Sequence, residues 1–427
     1  MMTGSFHPID EGEWSGQAYL GPVEKFFRAI AENDLETVGD LFQVGLFDLQ
    51  KRDHVGRTAL HLAIMLKSDA ISSYLIDSGA RITARLVDGR TPLHLASQLG
   101  MKDIVSKLLE KSKQNEKKVE EEKAAAEAAS KLAQKDKDGD SEMGDNDDND
   151  SNPSDESWDT DGELKKKGKP TVVPAPPATE LPAEGAAIPE DDEELPDILD
   201  INTTDWDFLY SPLSHAIVAG HLEVVDVLVR NGADVTTPFK KGQQWSQSTF
   251  YPLSLTLLTE DKAAACAIAE RLLESGATCT AADDSLKTVF HQAVFSGSID
   301  LVRTFIRVDP HFKDAINFLP NLSWNEAVSP LVSSLGLNNP AMMALLISSG
   351  ASPKITEEMF DKSWEARHSL AKRQYIPQKQ ENQWLKEVFF PIEAAMATRS
   401  DTVFPIIQLG CDLNRGLRAD AQYSYDQ

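Results

Sequence analysis

The 427-residue chain predicts an all-α solenoid, a stack of small helical-hairpin units, and three observations carry that reading. Thr58-Ala59-Leu60-His61-Leu62-Ala63 is followed 33 residues later by Thr91-Pro92-Leu93-His94-Leu95-Ala96. Recurrence at such a period marks stacked units, each too small to bury its apolar face alone. Behind the second motif the apolar residues follow helical spacing after a glycine, as Ile104, Val105, Leu108 and Leu109 do after Gly100. A single long stretch, Lys111 to Asp205, breaks the register with 28 acidic against 12 basic residues.

The motif explains its own residue types. Thr at the start of an apolar-periodic segment caps the free N–H groups of a first helical turn, and Pro at the next position loses no hydrogen bond there. His three residues on reaches back towards the Thr and closes the loop-to-helix corner. Thr58 with His61, Thr91 with His94 and Thr288 with His291 are therefore structural pairs, and their histidines are not metal ligands or catalytic groups.

With its 33-residue period and T-P-L-H-x-A core, the chain resembles the ankyrin-repeat family. In the same register Ser211-Pro212-Leu213 opens a unit with Gly220, Gly232, Ala233 and Asp234 on the family pattern. Ser214 takes the usual His position there and His215 follows one residue later, which puts the corner bond in doubt. Tyr251-Pro252-Leu253 opens a longer unit ending at Gly276-Ala277, with an extended second helix expected. Thr288-Val289-Phe290-His291 opens the next, and Asp309-Pro310 replaces its closing Gly-Ala. Ser329-Pro330-Leu331 runs to Gly350-Ala351, and Pro391-Ile392 opens a last unit closing at Gly410 to Asn414. Upstream, residues 23–42 read as a first unit without Thr and His. About eight units result, the outer ones degenerate.

The chain thus divides into an N-terminal tail (1–22), a first repeat block (23–111), a charged and acidic disordered insertion (112–205), a central block (206–356), a helical or loop insertion (357–388), a final repeat (389–418) and a tail (419–427). The stretch from Lys111 to Asp205 holds a net −16 of the chain's −26, so the acidity describes the insertion rather than the repeats. Its first part, Ser112 to Gln134, is rich in Lys, Glu and Ala and prolongs the third unit's second helix as a charged rod. Asp136 to Asp161 is an acidic tract whose Asp136, Asp138 and Asp140 do not make a calcium loop, because Ser141 stands where its Gly belongs. Ser151, Ser154, Ser157 and Thr160 are candidate acceptors for an acid-directed kinase, and Lys165 to Lys169 is a short candidate nuclear-import run. A Pro-rich stretch follows. Leu195, Ile198, Leu199, Ile201, Trp206 and Phe208 either form a docking peptide for a partner or pack on the solenoid's own edge and re-enter the register at Ser211. Trp206 to Tyr210 falls where the family places a finger turn, which favours the second reading.

Enzymatic constellations are scarce: there is no Gly-rich phosphate loop, G-x-S-x-G elbow, H-E-x-x-H pair or Cys pair with a nearby His pair. No catalytic, cofactor-binding or metal residues are expected. Neither an aromatic-basic stripe for nucleic acid nor a run of about eighteen apolar residues for a membrane is present. No small-molecule substrate is expected. Cys266, Cys279 and Cys411 lack metal spacing, and the start has no secretory pattern, so a reduced intracellular protein, cytoplasmic or nuclear, is the expectation.

What the resemblance implies about function is protein binding on a concave face made of the finger turns and the exposed side of each first helix. It assigns Met65, Leu66, Gln98, Leu99 and Val218 to variable positions before the mid-repeat Gly, as an apolar patch. His54, Arg57, Asp88 and Arg90 in the fingers supply polar specificity around it. The expected function is a non-catalytic scaffold or adaptor binding other proteins. Two alternatives are a regulatory or targeting arm of a longer enzyme, since the chain stops soon after Asn414 without a polar closing helix, and a nuclear regulator that retains a partner.

Overall fold

The computed structural model describes residues 21–45, 48–135, 196–241, 248–322, 326–370, 383–398, 401 and 403–410. Helical hairpins follow one another through the chain: α1 (Pro22–Ala31) with α2 (Leu35–Gln43), α3 (Ala59–Met65) with α4 (Asp69–Asp77), α5 (Pro92–Leu99) with α6 (Lys102–Lys135), and α7 (Pro212–Ala219) with α8 (Leu222–Arg230). Strands β1 (Phe239–Lys241) and β2 (Ser248–Phe250) form an antiparallel ribbon pairing Phe239 with Phe250. A 3-10 helix (Pro252–Leu258) then pairs with α9 (Lys262–Glu274), and α10 (Val289–Phe295) with α11 (Ile299–Val308). After the short α12 (Phe312–Ile316) and the ribbon of β3 (Asn321–Leu322) and β4 (Glu326–Ala327) come α13 (Pro330–Gly336) with α14 (Pro340–Ser348). Helices α15 (Glu357–Leu370) and α16 (Gln383–Glu387) precede the last hairpin, α17 (Pro391–Ala397) with α18 (Val403–Gln408). Among the described residues there are eight hairpins, one for each repeat read from the sequence.

Motif side chains build the corners of the repeats that follow the first. Thr58 Oγ1 lies 2.8 Å from His61 Nδ1, Thr91 Oγ1 2.9 Å from His94 Nδ1 and Thr288 Oγ1 2.6 Å from His291 Nδ1. The backbone N–H of Thr58 and of Thr91 donates to the same ring nitrogen of its own His, which leaves the ring proton on Nε2. From there His94 donates to Thr203 O and His291 to Phe318 O, each at 3.1 Å in the next finger segment. Where His is missing, another group takes its place: Ser254 Oγ accepts from Tyr251 N at 3.1 Å and Glu393 Oε2 accepts from Phe390 N at 2.9 Å. At the fourth repeat Ser214 N–H donates to Ser211 Oγ at 3.2 Å, so the corner doubted there is closed without a histidine.

One row of first helices runs through the array: α1 packs on α3, α3 on α5, α5 on α7, α7 on the 3-10 helix, and on through α10, α13 and α17. Their buried side chains, among them Phe26, Leu60, Leu93, Leu213, Phe290 and Leu331, belong to one hydrophobic core. The contact of α5 with α7 joins repeats on either side of the long insertion, so the stack is continuous across it.

The ends of that insertion differ from the expected boundaries 112–205. Helix α6 carries on to Lys135, where Lys, Glu and Ala favour helix and i,i+4 pairing. Residues 197–205 belong with the repeats, ahead of the expected return at 206, because their polar groups find partners on the third repeat. Asp197 accepts from Ile82 N, Thr83 N and Thr83 Oγ1 at 2.8–3.1 Å, and Leu199 N donates to Ser112 Oγ at 2.8 Å. A second compact unit, Asn115–Pro196, is described only through its helical start. The acidic tract, the serines and threonine within it, Lys165 to Lys169, the Pro-rich stretch and Leu195 lie outside the described residues, as do Cys411 and most of both tails.

Candidate functional site

Finger turns and first-helix ends make the face in question. In the second finger Asp53 N donates to Arg57 O at 2.9 Å, and the Asp53 carboxylate accepts from Val55 N, Arg57 N and Arg57 Nε. Burial pushes that carboxyl up, but those donors together hold it below the usual carboxylate range. The third finger repeats the plan with Leu86 N to Arg90 O at 2.9 Å and Asp88 accepting from Arg90 N and Nε. Arg52 and Arg85, one period apart, each donate to the glycine carbonyl of their own turn, Gly56 O at 2.6 Å and Gly89 O at 2.9 Å.

The fourth finger is the re-entrant segment itself. Asp205 N donates to Tyr210 O at 3.0 Å, and Trp206 N donates to Asp88 O at 2.9 Å, which stacks this turn on the third. The Trp206 ring lies where a Cβ on Gly89 would fall, 2.6 Å from its nearest atom, with the Arg85 guanidinium 5.8 Å from the ring centre. Buried Asp205 accepts from Phe208 N and Tyr210 N and sits 2.8 Å from His215 Nε2. His94, His215 and Tyr210 meet edge to face around it, at 5.6–5.7 Å between ring centres. Ile198 to Phe208 thus pack on the solenoid's own edge as a finger.

The residues expected at the site separate into two groups. His54 stands exposed at a finger tip, and Met65 (42 % exposed) and Leu66 (48 %) stand at the end of α3. Arg57, Asp88 and Arg90 are half-buried, and Arg90 Nη1 donates to exposed Gln98 Oε1 at 3.0 Å. Leu99 and Val218 are half-buried against the core instead. His221 covers the end of α5, with Nε2 3.1 Å from Gln98 O, and Thr259 Oγ1 donates to Ile217 O at 2.7 Å beside Val218. Neighbouring repeats therefore shield these two positions.

Leu258, Phe295, Leu337 and Met396 are exposed at the ends of later first helices, and the sequence reading passed over them. Their signal was register: Leu258 and Phe295 follow Tyr251 and Thr288 by the same interval that separates Met65 from Thr58. In the third and sixth repeats the residue before the motif reaches this position: Arg90 Nη1 donates to Gln98 Oε1, and Lys287 Nζ lies 4.3 Å from the Phe295 ring centre. Burial lowers the Lys287 pKa against the opposing charge of Asp283.

The motif histidines are unsuited to proton transfer. Burial drives His61, His94 and His291 down to about 3, helped by the charge of Arg52 at the first and of His215 at the second. Cys279 is buried and its thiol is pushed far up by burial, then by Asp309, so it is not a nucleophile. Among the described residues no group of His, Cys, Asp or Glu is placed to hold a metal ion, and no helix is long and apolar enough to cross a membrane.

Similar solved structures include the ankyrin repeat domain of Bcl-3, described as a unique member of the IkappaB protein family, at 19 % identity and a TM-score of 0.40, covering 67 % of this chain and 86 % of that one. The ankyrin repeat protein EF0377 is 15 % identical, with a TM-score of 0.42, over 68 % of this chain and 100 % of that one. An ankyrin repeat domain (ABAYE2397) from Acinetobacter baumannii AYE is 16 % identical, with a TM-score of 0.40, over 66 % and 96 %. No curated protein matches the sequence. The family model for ankyrin repeats in three copies matches residues 26–119, and that for a single ankyrin repeat matches 208–237. Repeats of this kind are generally protein-interaction modules and typically non-catalytic. Both matched segments fold here into the hairpins and fingers that the 33-residue motif requires, and these segments are ankyrin repeats.

Proposed function

We propose that this chain is a non-catalytic scaffold or adaptor that binds partner proteins on the face formed by its finger turns and first-helix ends. The observation that carries this is the recurrence of exposed apolar side chains at the ends of first helices, Met65, Leu66, Leu258, Phe295, Leu337 and Met396, on helices otherwise largely buried. Apolar area left in water at these helix ends stabilises nothing in the fold and suits a partner that covers it. Exposed Val55, Val87 and Trp206 on the fingers border the same face. A reduced location, cytoplasmic or nuclear, goes with this reading and with cysteines that are free at Cys266 and Cys279.

The test is quantitative affinity capture with the intact chain and with a Met65→Ser, Leu66→Ser, Leu258→Ser, Phe295→Ser variant. These are surface positions, so Tm should stay within about 3 °C. Loss of specific partners at unchanged Tm is expected; identical partner sets from both proteins would remove this face from consideration.

A further inference from the structure

We propose that the face of the second and third repeats takes an acidic protein segment with apolar anchors, an inference that rests on the protein-binding reading above. Charge carries it first. The two finger segments 48–57 and 81–90 hold six basic and three acidic residues in a chain of net charge −26. In the next finger segment the sign reverses: residues 197–210 contain Asp197, Asp200, Asp205 and Asp207 and no basic residue. A positive strip ending at a negative edge favours an acidic segment over repeats two and three and repels its continuation across repeat four.

Geometry makes the strip a recognition surface. Asp53 grips Arg57 through Nε and Nη2 at 2.7–2.8 Å, and Asp88 grips Arg90 through the same two nitrogens at 2.5–2.7 Å. Both guanidiniums are thus held by a carboxylate of their own finger, and Nη1 of Arg90 meets exposed Gln98 at the helix end. Arg57 holds the same register position in the second repeat as Arg90 in the third, and Met65 and Leu66 are exposed at the end of its first helix. A guanidinium already oriented loses little freedom on meeting a carboxylate, and the adjacent apolar side chains accept an anchor that a purely ionic ligand would leave wet. First helices packed roughly 8–10 Å apart match every third residue of a polyproline II segment, which rises about 3.1 Å per residue and returns to the same face every three residues. The partner segment is therefore extended, with apolar residues at every third position and Asp or Glu between them.

Fluorescence anisotropy with the intact chain tests this, using a short peptide with leucines at every third position separated by glutamates, its lysine counterpart, and a single-stranded oligonucleotide. The glutamate peptide should bind at least about tenfold more tightly than the lysine peptide, and about 0.5 M NaCl should erase most of that preference. Arg57→Gln with Arg90→Gln should cancel the preference, and Met65→Ser with Leu66→Ser should weaken both peptides, with Tm as the folding control. Equal binding of both peptides, lost on changing Met65 and Leu66, would overturn the acidic partner while leaving the protein-binding face standing. Binding of neither peptide would overturn both for these repeats, and an oligonucleotide competing as well as the glutamate peptide would overturn the proposal in favour of a general polyanion site. The salt dependence of the unaltered chain reads the charge preference even if the arginine variant fails to fold.

Discussion

Single residues at the repeat corners set the acid stability of the molecule. His61, His94 and His291 have folded pKa values near 3, below the 6.5 of a free side chain, so the unfolded chain takes up protons first as the pH falls. Their contribution is intact above about pH 6.5 and is lost from there towards pH 3, at about 1.4 kcal/mol per pH unit for each histidine. Urea unfolding at pH 7 and pH 5 should show a steep loss, and His291→Gln should flatten it by about 1.4 kcal/mol per unit; a slope unchanged in that variant would refute the buried neutral ring. The role of these histidines was legible from their position three residues after Thr. The role of His215 was not, because Asp205, its partner at 2.8 Å, lies across the fourth finger in a segment without the motif. His215→Leu leaves the buried Asp205 carboxylate short of one donor, and equilibrium unfolding should register a loss of about 2 kcal/mol.

Secondary elements show where the motif bends to its neighbours. Most first helices pass to the second through a residue of positive φ, as at Lys67 (56°), Gly220 (80°), Gly297 (74°) and Asn338 (49°). The fifth repeat reads Leu257-Leu258-Thr259-Glu260 there, and the chain instead takes a 3-10 helix followed by extended Thr259 at ψ 124°. Lys67 and Asn338 make the turn without glycine, so the 3-10 helix of the fifth repeat was not legible in the sequence; it packs between α7 and α10. At the third finger the packing is tighter still. Gly89 has φ +81° and the Trp206 ring against its Cα, so Gly89→Ala both strains the turn and displaces the next finger. A loss of about 2–3 kcal/mol is expected; a thermal melt within about 1 °C of the unaltered protein would show that the stacking of the fourth finger on the third is not tight.

For the molecule as a whole, the α5 to α7 contact makes the long insertion a connection rather than a boundary between two separate arrays. Stability in a solenoid is a sum over neighbouring interfaces, and that interface is present without the intervening chain. Deleting residues 140–190 leaves the α5 to α7 interface in place and shortens the connection two- to threefold, so the stability of the array should change by less than about 1 kcal/mol. Chemical denaturation measures this; a clear loss of stability would mean that the deleted segment supports the repeats.

The sequence by itself determined the repeat, its period, its corner chemistry and the number of hairpins, because each of those is local to about a dozen residues and their spacing. Only the tertiary structure decided that Ile198 to Phe208 form a finger on the third repeat, that Leu99 and Val218 turn inward beneath His221 and Thr259, and that Leu258, Phe295, Leu337 and Met396 extend the exposed apolar face. Each of these depends on what the adjacent repeat covers, and burial by a neighbour is a property of the stack that no single unit carries in its own residues.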